Sequence, residues 1–315
     1  MVASTLAGLA GCSVEPVGDD GAADATGGTS TGLPGTGGAA TATGGSGGAS
    51  LGGAPGTGGV STGTGGVTEP VEPGPATVWL AGDSTVANGP TPCPTGWGKA
   101  FDALFDERIT VVNSAVGGRS VRTWLYDVQG TKGADGECLL AMDGSGQRVL
   151  QARWTDMLAG MKAGDFLFIQ FGINDGDANC PRHVGTTALA ESYLMMANAA
   201  KSRGAQPIFV TPVSAIACNG STPKGTRGFV QTVIDLGAAQ SIPVIDLHAR
   251  SIALYAAKGF CPVPGGDVSA ATGGPVGEFF CDDHTHFSAS GAVAIGELVA
   301  DGLRDSGSEL AEYLK

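Results

Sequence analysis

The sequence predicts an α/β fold, a three-layer α/β/α sandwich built on a five-stranded parallel sheet. Two observations support this prediction. From residue 76 onward, short apolar runs alternate with longer amphipathic segments, an order that is typical of parallel strands joined by crossover helices. The apolar runs are continuous rather than alternating, as expected for strands that helices cover on both faces.

Five apolar runs, most of them rich in β-branched residues, are the predicted strands: 77–82, 109–114, 166–171, 207–212 and 243–247. Six amphipathic segments are the predicted helices: 97–106, 147–162, 186–203, 225–240, 248–258 and 289–304. Ser288 is the predicted N-cap of the last helix, because a serine hydroxyl can accept a hydrogen bond from a free backbone N–H. Glycine-rich loops follow the strands, so the chemistry is expected at the carboxyl edge of the sheet.

The N-terminal quarter of the chain differs in composition from the rest. The 54 glycines of the 315-residue chain are concentrated before residue 75. Residues 13–75 lack the apolar content for a core and are predicted to be a flexible tether, which leaves residues 76–315 as one folded domain. Six acidic residues and no Lys or Arg precede residue 76, so the domain carries −7 of the net charge of −13. This acidic balance argues against a nucleic-acid partner.

Residues 1–12 resemble a lipoprotein-type signal segment. Leu9-Ala10-Gly11-Cys12 follows a short apolar stretch and is similar to the bacterial lipoprotein processing box, which would make Cys12 the lipidated first residue. We therefore expect an exported protein, either a cell-surface lipoprotein or a secreted one, with membrane attachment only through a lipid on Cys12. The alternative is that Cys12 is an ordinary cysteine, since a normal secretory signal has Lys or Arg near its start and none precedes Cys12.

Six further cysteines are spread over the domain: Cys93, Cys138, Cys180, Cys218, Cys261 and Cys281. An exported domain can pair all six, and fifteen connectivities are possible. Loops that leave neighbouring strands on the same sheet edge favour the pairs Cys93–Cys138, Cys180–Cys218 and Cys261–Cys281.

Two separated motifs predict a serine hydrolase. Gly82-Asp83-Ser84-Thr85 closes the first predicted strand, and Asp283-His284-Thr285-His286 stands just before the last predicted helix. A serine hydroxyl needs a base to become a nucleophile, and His286 can be that base. Asp283 can hold its imidazole in one tautomer and stabilise the protonated form.

Two further loops offer donors for an oxyanion. The backbone N–H of Gly118 and the side-chain amide of Asn174 each follow a predicted strand, and with the N–H of Ser84 they would make three donors. The crowding of Asp282, Asp283, His284 and His286 admits a metal site only if the ligands converge, and no motif such as H-E-x-x-H accompanies them. We expect neither a metal nor a cofactor.

These blocks resemble the GDSL or SGNH hydrolases, and the match spans most of residues 77–304. The resemblance implies a flavodoxin-like SGNH hydrolase fold, with Ser84 as nucleophile, Gly118 and Asn174 as oxyanion donors, His286 as base and Asp283 as its orienting acid. Within the family, the likeness is to the rhamnogalacturonan acetylesterase group, carried by residues 78–85, Gly96-Trp97-Gly98, Gly118-Arg119-Ser120 and residues 283–286. One position departs from that group, which tends to have histidine where Ile173 stands.

The resemblance implies a serine esterase that removes O-acetyl groups from a cell-wall polysaccharide, most of all pectic rhamnogalacturonan. We expect the protein to be a monomer. Residues predicted to contact the substrate are Trp97 and Trp124 as sugar platforms and Arg119, Arg122 and Arg182 as partners for uronate carboxylates. Core packing is the alternative role for the two tryptophans. Two alternative functions remain, an esterase for acetylxylan or small acyl esters, and a surface-tethered carbohydrate-binding protein on an inactive hydrolase scaffold.

Overall fold

The computed structural model describes residues 74–90, 93–263, 274–281 and 283–315. Residues 1–73, with the predicted signal segment, Cys12 and all but the last two residues of the predicted tether, therefore lie outside the described residues. None of the described helices is both long enough and apolar enough to cross a membrane.

A five-stranded parallel sheet forms the centre of the domain, in the strand order β2-β1-β5-β6-β9. The described strands are, in chain order, β1 (Ala76–Gly82), β2 (Ile109–Asn113), β3 (Val128–Lys132), β4 (Cys138–Leu140), β5 (Phe166–Gln170), β6 (Gln206–Val210), β7 (Cys218–Asn219), β8 (Thr222–Pro223) and β9 (Val244–Ile245). The register places Leu80 of β1 between Asn113 of β2 and Phe168 of β5. The predicted fold class and its five strands are thus confirmed, with bounds that differ by one to two residues at most ends.

The strand order determines where a ligand can bind. The chain runs from β1 outward to β2 on one side, and then crosses to β5 on the other side of β1. This is the flavodoxin-like order, in which ligands bind outside the carboxyl ends of the strands where the direction of winding changes. Residues that directly follow β1 and β5 therefore meet at the same crevice.

Helices cover both faces of the sheet. The described α-helices are α1 (Val121–Leu125), α2 (Ala152–Gly160), α3 (Thr186–Ser202), α4 (Val230–Gln240), α5 (Leu247–Ala257), α6 (Gly274–Phe279) and α7 (Ala289–Asp305), with 3-10 helices at Trp97–Leu104, Asn174–Gly176 and Glu309–Tyr313. The Ser288 hydroxyl accepts a hydrogen bond from the N–H of Gly291 at 3.2 Å and caps α7, as predicted.

Alternate residues of the buried strands point to opposite faces and enter two separate cores. In β5, Phe168 packs with residues of α5, α7 and the 3-10 helix Trp97–Leu104, whereas Leu167 and Ile169 pack with residues of α1 to α4. Because side chains alternate along a strand, one continuous apolar run serves both helical layers. This arrangement confirms the three-layer sandwich.

Some predicted helices begin later than expected. The segment predicted to start at residue 147 is helical only from Ala152, because Arg148 and Leu150 pair in extended form with Met142 and Tyr126. Likewise, α4 starts at Val230 rather than at residue 225. The small antiparallel pairs β3–β4 and β7–β8 and the short helices α1 and α6 were not predicted.

All six domain cysteines are paired, but the three favoured pairings were wrong. The bonds are Cys93–Cys281, Cys138–Cys180 and Cys218–Cys261. Two of these bonds do join cysteines that are consecutive in the sequence. The favoured pairs were shifted by one cysteine because the chain after α6 returns to the loop that follows β1, where Cys281 pairs with Cys93. There the N–H of Thr95 donates to the carbonyl of Phe287 at 3.0 Å, which brings Cys281 next to Cys93.

Candidate active site

Ser84 lies in a tight turn directly after β1. The buried Asp83 carboxylate accepts hydrogen bonds from the N–H and the hydroxyl of Thr85, at 2.9 and 2.8 Å, and its own carbonyl accepts from the N–H of Val86. Gly82 is required before the turn, because a Cβ at this position would lie 2.5 Å from a Val86 methyl carbon. These contacts hold the turn rigid and leave Ser84 partly exposed at the sheet edge.

A continuous hydrogen-bonded path joins Ser84 to the loop before α7. The Ser84 Oγ lies 2.9 Å from Nε2 of His286, and Nδ1 of the same ring lies 2.6 Å from Oδ2 of Asp283. The second carboxylate oxygen of Asp283 accepts from the backbone N–H groups of Thr285 and His286, both at 2.7 Å. Two residues 202 positions apart in the chain are thus brought into contact, and the carboxylate has one oxygen for the ring and one for the loop.

The charges of this path are coupled. Burial opposes ionisation of Asp283, but the hydrogen bonds from the His286 ring and from the N–H groups of His286 and Thr285 outweigh it, and the pKa of the carboxyl lies well below its usual range. The same Asp283 contact raises the pKa of His286, against the effect of burial. Asp283 is therefore ionised, and it stabilises the protonated form of the His286 ring.

The loop after β2 lies beside the nucleophile. The N–H of Val116 donates to the carbonyl of Gly82 at 3.0 Å, and a Cβ on Gly117 would lie 3.6 Å from that of Ser84. Gly118 has a φ of 72°, a left-handed conformation that a glycine adopts without strain. No hydrogen bond joins the N–H of Ser84 or of Gly118 to another described residue, so both remain available as donors.

The Asn174 side chain has one possible orientation. Its Nδ2 donates to the carbonyl of Arg119 at 3.1 Å, and its Oδ1 accepts from the Arg182 guanidinium at 3.3 Å. A carbonyl can only accept and a guanidinium can only donate, so a flipped amide would lose both bonds. Arg182 is itself held by an ion pair with Asp177. The second N–H of the amide is left for a ligand, on the same loop cluster as Gly118.

A model of the GDSL-like lipase/acylhydrolase family matches residues 80–294 of the chain. The chain belongs to this family. It is accordingly a carboxylic ester hydrolase, and the resemblance seen in the sequence is confirmed. The matched segment contains Ser84, Gly118, Asn174, Asp283 and His286.

Individual relatives agree with the family assignment. The chain is 31% identical over 259 residues to rhamnogalacturonan acetylesterase RhgT of Bacillus subtilis, which covers 76% of this chain and 94% of RhgT. It is 29% identical over 241 residues to the probable rhamnogalacturonan acetylesterase YesY of the same species, covering 75% of this chain and 96% of YesY. The crystal structure of B. subtilis YxiM superposes with a TM-score of 0.56 at 22% identity and covers 75% of this chain and 58% of YxiM, a likeness of fold alone.

A buried carboxylic acid joins two of the site loops in this GDSL-family enzyme. The Asp175 side chain accepts hydrogen bonds from the N–H of Val121 and from the N–H of Gly172, both at 2.9 Å. Burial raises the pKa of Asp175 to about 7. The two hydrogen bonds act against this rise, and repulsion from the Asp83 carboxyl adds to it. Asp175 thereby links the loops that carry Gly118 and Asn174. Sequence reasoning did not select this residue, because its contact to Val121 spans 54 positions.

The two tryptophans predicted as sugar platforms are both buried, which contradicts that role. Trp97 donates its indole N–H to the side-chain carbonyl of Gln170 at 2.9 Å, and the Gln170 amide donates to the Thr85 hydroxyl at 2.8 Å. Trp124 donates its indole N–H to the carbonyl of Ser114 at 3.0 Å. Neither indole has a face open to a sugar, because both are enclosed in the cores. Trp97 instead supports the turn that carries Ser84, through the hydrogen bonds from its indole to Gln170 and from Gln170 to Thr85.

The predicted arginines separate into different environments in the GDSL-family domain. Arg122 forms an ion pair with Glu137 and donates to the carbonyl of Cys138, so its guanidinium is engaged in structure rather than open to a substrate. Arg119 is exposed next to Gly118, and Arg182 is exposed beside Asn174. Arg227 was not predicted, because its segment shows no motif and is brought to the site only by the tertiary fold.

A cleft of about 490 Å³ opens beside Asn174. It is lined by Gly172, Ile173, Asn174, Gly176, Asp177, Arg182, Thr226, Arg227 and Gly228. Ile173, at the position where the related group tends to have histidine, is part of its wall. Of the residues selected from the sequence, Asn174 and Arg182 line this cleft.

The crowded segment before α7 contains the residues that a metal site there would have to bring together. Within them, no group of three or more His, Cys, Asp or Glu side chains could hold a metal ion. Asp283 and His286 bond to each other, and Asp282 lies outside the described residues.

Proposed function

We propose that the protein is a serine esterase that removes O-acetyl groups from a carbohydrate through a Ser84–His286–Asp283 acyl-enzyme mechanism. The observation that carries the proposal is the hydrogen-bonded path from Ser84 through His286 to an ionised Asp283. A hydroxyl, a base and an orienting acid in hydrogen-bond contact define an activated serine nucleophile.

The geometry suits a two-step reaction. The Ser84 oxygen attacks the ester carbonyl carbon while His286 Nε2 takes the serine proton, and the carbonyl oxygen becomes an oxyanion. The N–H groups of Ser84 and Gly118 and the amide of Asn174 donate to that oxygen. When the C–O bond to the sugar breaks, His286 returns the proton to the leaving sugar hydroxyl and an acetyl-Ser84 ester remains.

Water completes the cycle. His286 Nε2 takes a proton from water as the water oxygen attacks the acetyl carbonyl. The second tetrahedral intermediate then breaks to release acetate, and His286 returns its proton to the Ser84 oxygen. No other group has to be supplied, because protons lost and gained balance within the pair formed by Ser84 and His286.

For the substrate, we favour acetylated rhamnogalacturonan. The support is the 31% identity to RhgT, whose name states this activity and which the chain matches over 94% of its length. The cleft beside Asn174 adds physical support, since Arg182 and Arg227 both line it. A rhamnogalacturonan backbone carries uronate carboxylates, which arginine guanidinium groups bind well.

Export is a further part of this proposal. Three disulfides in the domain suit an oxidising compartment, which is also where a cell-wall polymer is reached. Mass spectrometry of the mature N-terminus in the native host tests the lipid on Cys12. An unmodified Cys12 would refute the anchor and leave the secreted form.

The direct test of the function is acetate release. Wild type should hydrolyse p-nitrophenyl acetate and release acetate from acetylated rhamnogalacturonan faster than from acetylated xylan. The Ser84→Ala variant should lose both activities, whereas Ser202→Ala, which changes an exposed serine at the end of α3, should retain them. An unchanged rate in Ser84→Ala would refute the mechanism, and a preference for xylan or for small esters alone would refute the substrate. Binding of the polysaccharide without hydrolysis would indicate an inactive scaffold.

A further inference from the structure

Arg227 differs from the arginines of the domain that form ion pairs. Its Nε donates to the carbonyl of Val213 at 3.0 Å, and its Nη2 donates to the hydroxyl of Thr285 at 3.1 Å. Both acceptors are neutral, and no carboxylate of a described residue lies in ion-pair contact with this guanidinium. Its Nη1 donates no hydrogen bond to any residue within the described ranges.

This arrangement is costly for a charged group. Arg227 is largely removed from water, and burial lowers the pKa of its guanidinium, although the more distant charges of Asp83 and Asp283 oppose this effect. A cation that is withdrawn from water is normally matched by an anion in direct contact. The open Nη1 therefore marks a position where an anion would be stabilised.

Arg227 lies both at the cleft and next to the loop that carries His286. It lines the cleft beside Asn174, and its Nη2 contacts the Thr285 side chain, one residue from His286. We therefore expect an anion held there to be part of the substrate whose ester lies at Ser84. Arg182, which also lines the cleft, is already paired with Asp177, so Arg227 is the cleft arginine whose guanidinium lacks a carboxylate partner among the described residues.

The charge of the domain makes such a cation necessary for an acidic substrate. At a net charge of −7 for residues 76–315, the domain as a whole repels a polyanion. Local attraction must then come from a positive group in the cleft.

We propose that Arg227 is the carboxylate-binding residue of this cleft and that it selects acetylated chains containing acidic sugars over neutral ones. The inference rests on the proposed function, because it assigns specificity to the same site. Arg227 thus has two roles. Its Nη2 supports the loop that carries His286, and its Nη1 binds the carboxylate of a uronate.

Binding and turnover together test this proposal. The full chain is titrated with trigalacturonate by calorimetry, and acetate release is measured from acetylated rhamnogalacturonan oligosaccharides before and after their carboxyl groups are reduced to alcohols. Wild type should bind trigalacturonate, with an affinity that falls as salt is added. The Arg227→Gln variant should bind it at least about tenfold more weakly, which corresponds to about 1.4 kcal/mol.

A matched control separates the local contact from net charge. Arg250→Gln removes the same charge from a surface ion pair with Asp305, and we expect it to bind trigalacturonate as wild type does. In turnover, Arg227→Gln should raise KM for the acidic oligosaccharide, and its deficit relative to wild type should shrink once the carboxyl groups are reduced.

Three results would overturn the proposal: no binding of trigalacturonate by wild type, equal binding by wild type and Arg227→Gln, or an equal loss of activity on acidic and reduced oligosaccharides. The last result would leave Arg227 as a support of the Thr285 loop only. Failure of the proposed function is distinguishable, because a protein that binds trigalacturonate through Arg227 but releases no acetate keeps the subsite and loses the esterase assignment.

Discussion

Replacing Asn174 by alanine should lower kcat by about 100- to 1000-fold and leave KM for p-nitrophenyl acetate nearly unchanged. The proposed mechanism assigns three donors to the oxyanion, the N–H groups of Ser84 and Gly118 and the Asn174 amide. Loss of one preorganised donor costs about 3 to 4 kcal/mol in the transition state. The substrate carbonyl carries little charge before attack, so the loss should appear in kcat rather than in binding.

The neighbours of Asn174 allow a sharper version of the test. Arg182 accounts for the orientation of the amide through a 3.3 Å bond to Oδ1. That bond is long and exposed, so Arg182→Ala should cost about 1 kcal/mol, roughly fivefold in kcat. If Arg182 acts only through the amide, the same substitution should have no further effect in an Asn174→Ala background.

Stopped-flow or steady-state hydrolysis of p-nitrophenyl acetate measures these effects. Asn179→Ala is a matched control, because it removes an exposed asparagine side chain from the same loop. A kcat of Asn174→Ala within about threefold of wild type would refute the assignment of Asn174 as an oxyanion donor. Additive losses in the double variant would show that Arg182 acts independently of the amide.

Two more predictions concern the loop before α7. Activity should rise with pH as His286 loses its proton. The midpoint of this rise should lie above the ordinary histidine value of about 6.5, because Asp283 raises the pKa of His286. Asp283→Asn should lower both the midpoint and kcat, and a pH–rate profile of this variant with an unshifted midpoint would contradict the coupling. Replacing both Cys93 and Cys281 by alanine should lower the free energy of unfolding by about 2 to 5 kcal/mol, since their bond closes a long loop, and should lower kcat because Cys281 bonds through its N–H to the His286 carbonyl. Urea unfolding measures the first effect and ester hydrolysis the second. A urea midpoint and a kcat both equal to those of wild type would refute the prediction.

Much of the fold could be predicted because it depends on local patterns. Continuous apolar runs located the strands of the sheet, and the serine at position 288 located the start of α7. The helix predicted from residue 147 starts late because Arg148 and Leu150 pair in extended form although the sequence pattern there is helical. The disulfide pairs could not be predicted, because a local pattern does not show which distant segments come into contact.

Within the site, residue type and order along the chain were enough to select Ser84, Gly118, Asn174, Asp283 and His286, because an acyl-transfer site requires these groups after strands or before the final helix. Their contacts were not deducible. Burial decided against Trp97 and Trp124 as sugar platforms, since an indole with both faces packed has no surface for a ligand.

By itself, the sequence determined the α/β class and the hydrolase family, and it selected the five residues to which we assign the reaction, because these depend on periodicity and residue type. The tertiary structure alone decided the disulfide connectivity, the link from Asp175 to Val121 and the position of Arg227 beside the cleft. Each of these joins residues far apart in the chain, and such neighbours are set by how the helices and loops pack around the sheet. Local sequence carries no record of that packing.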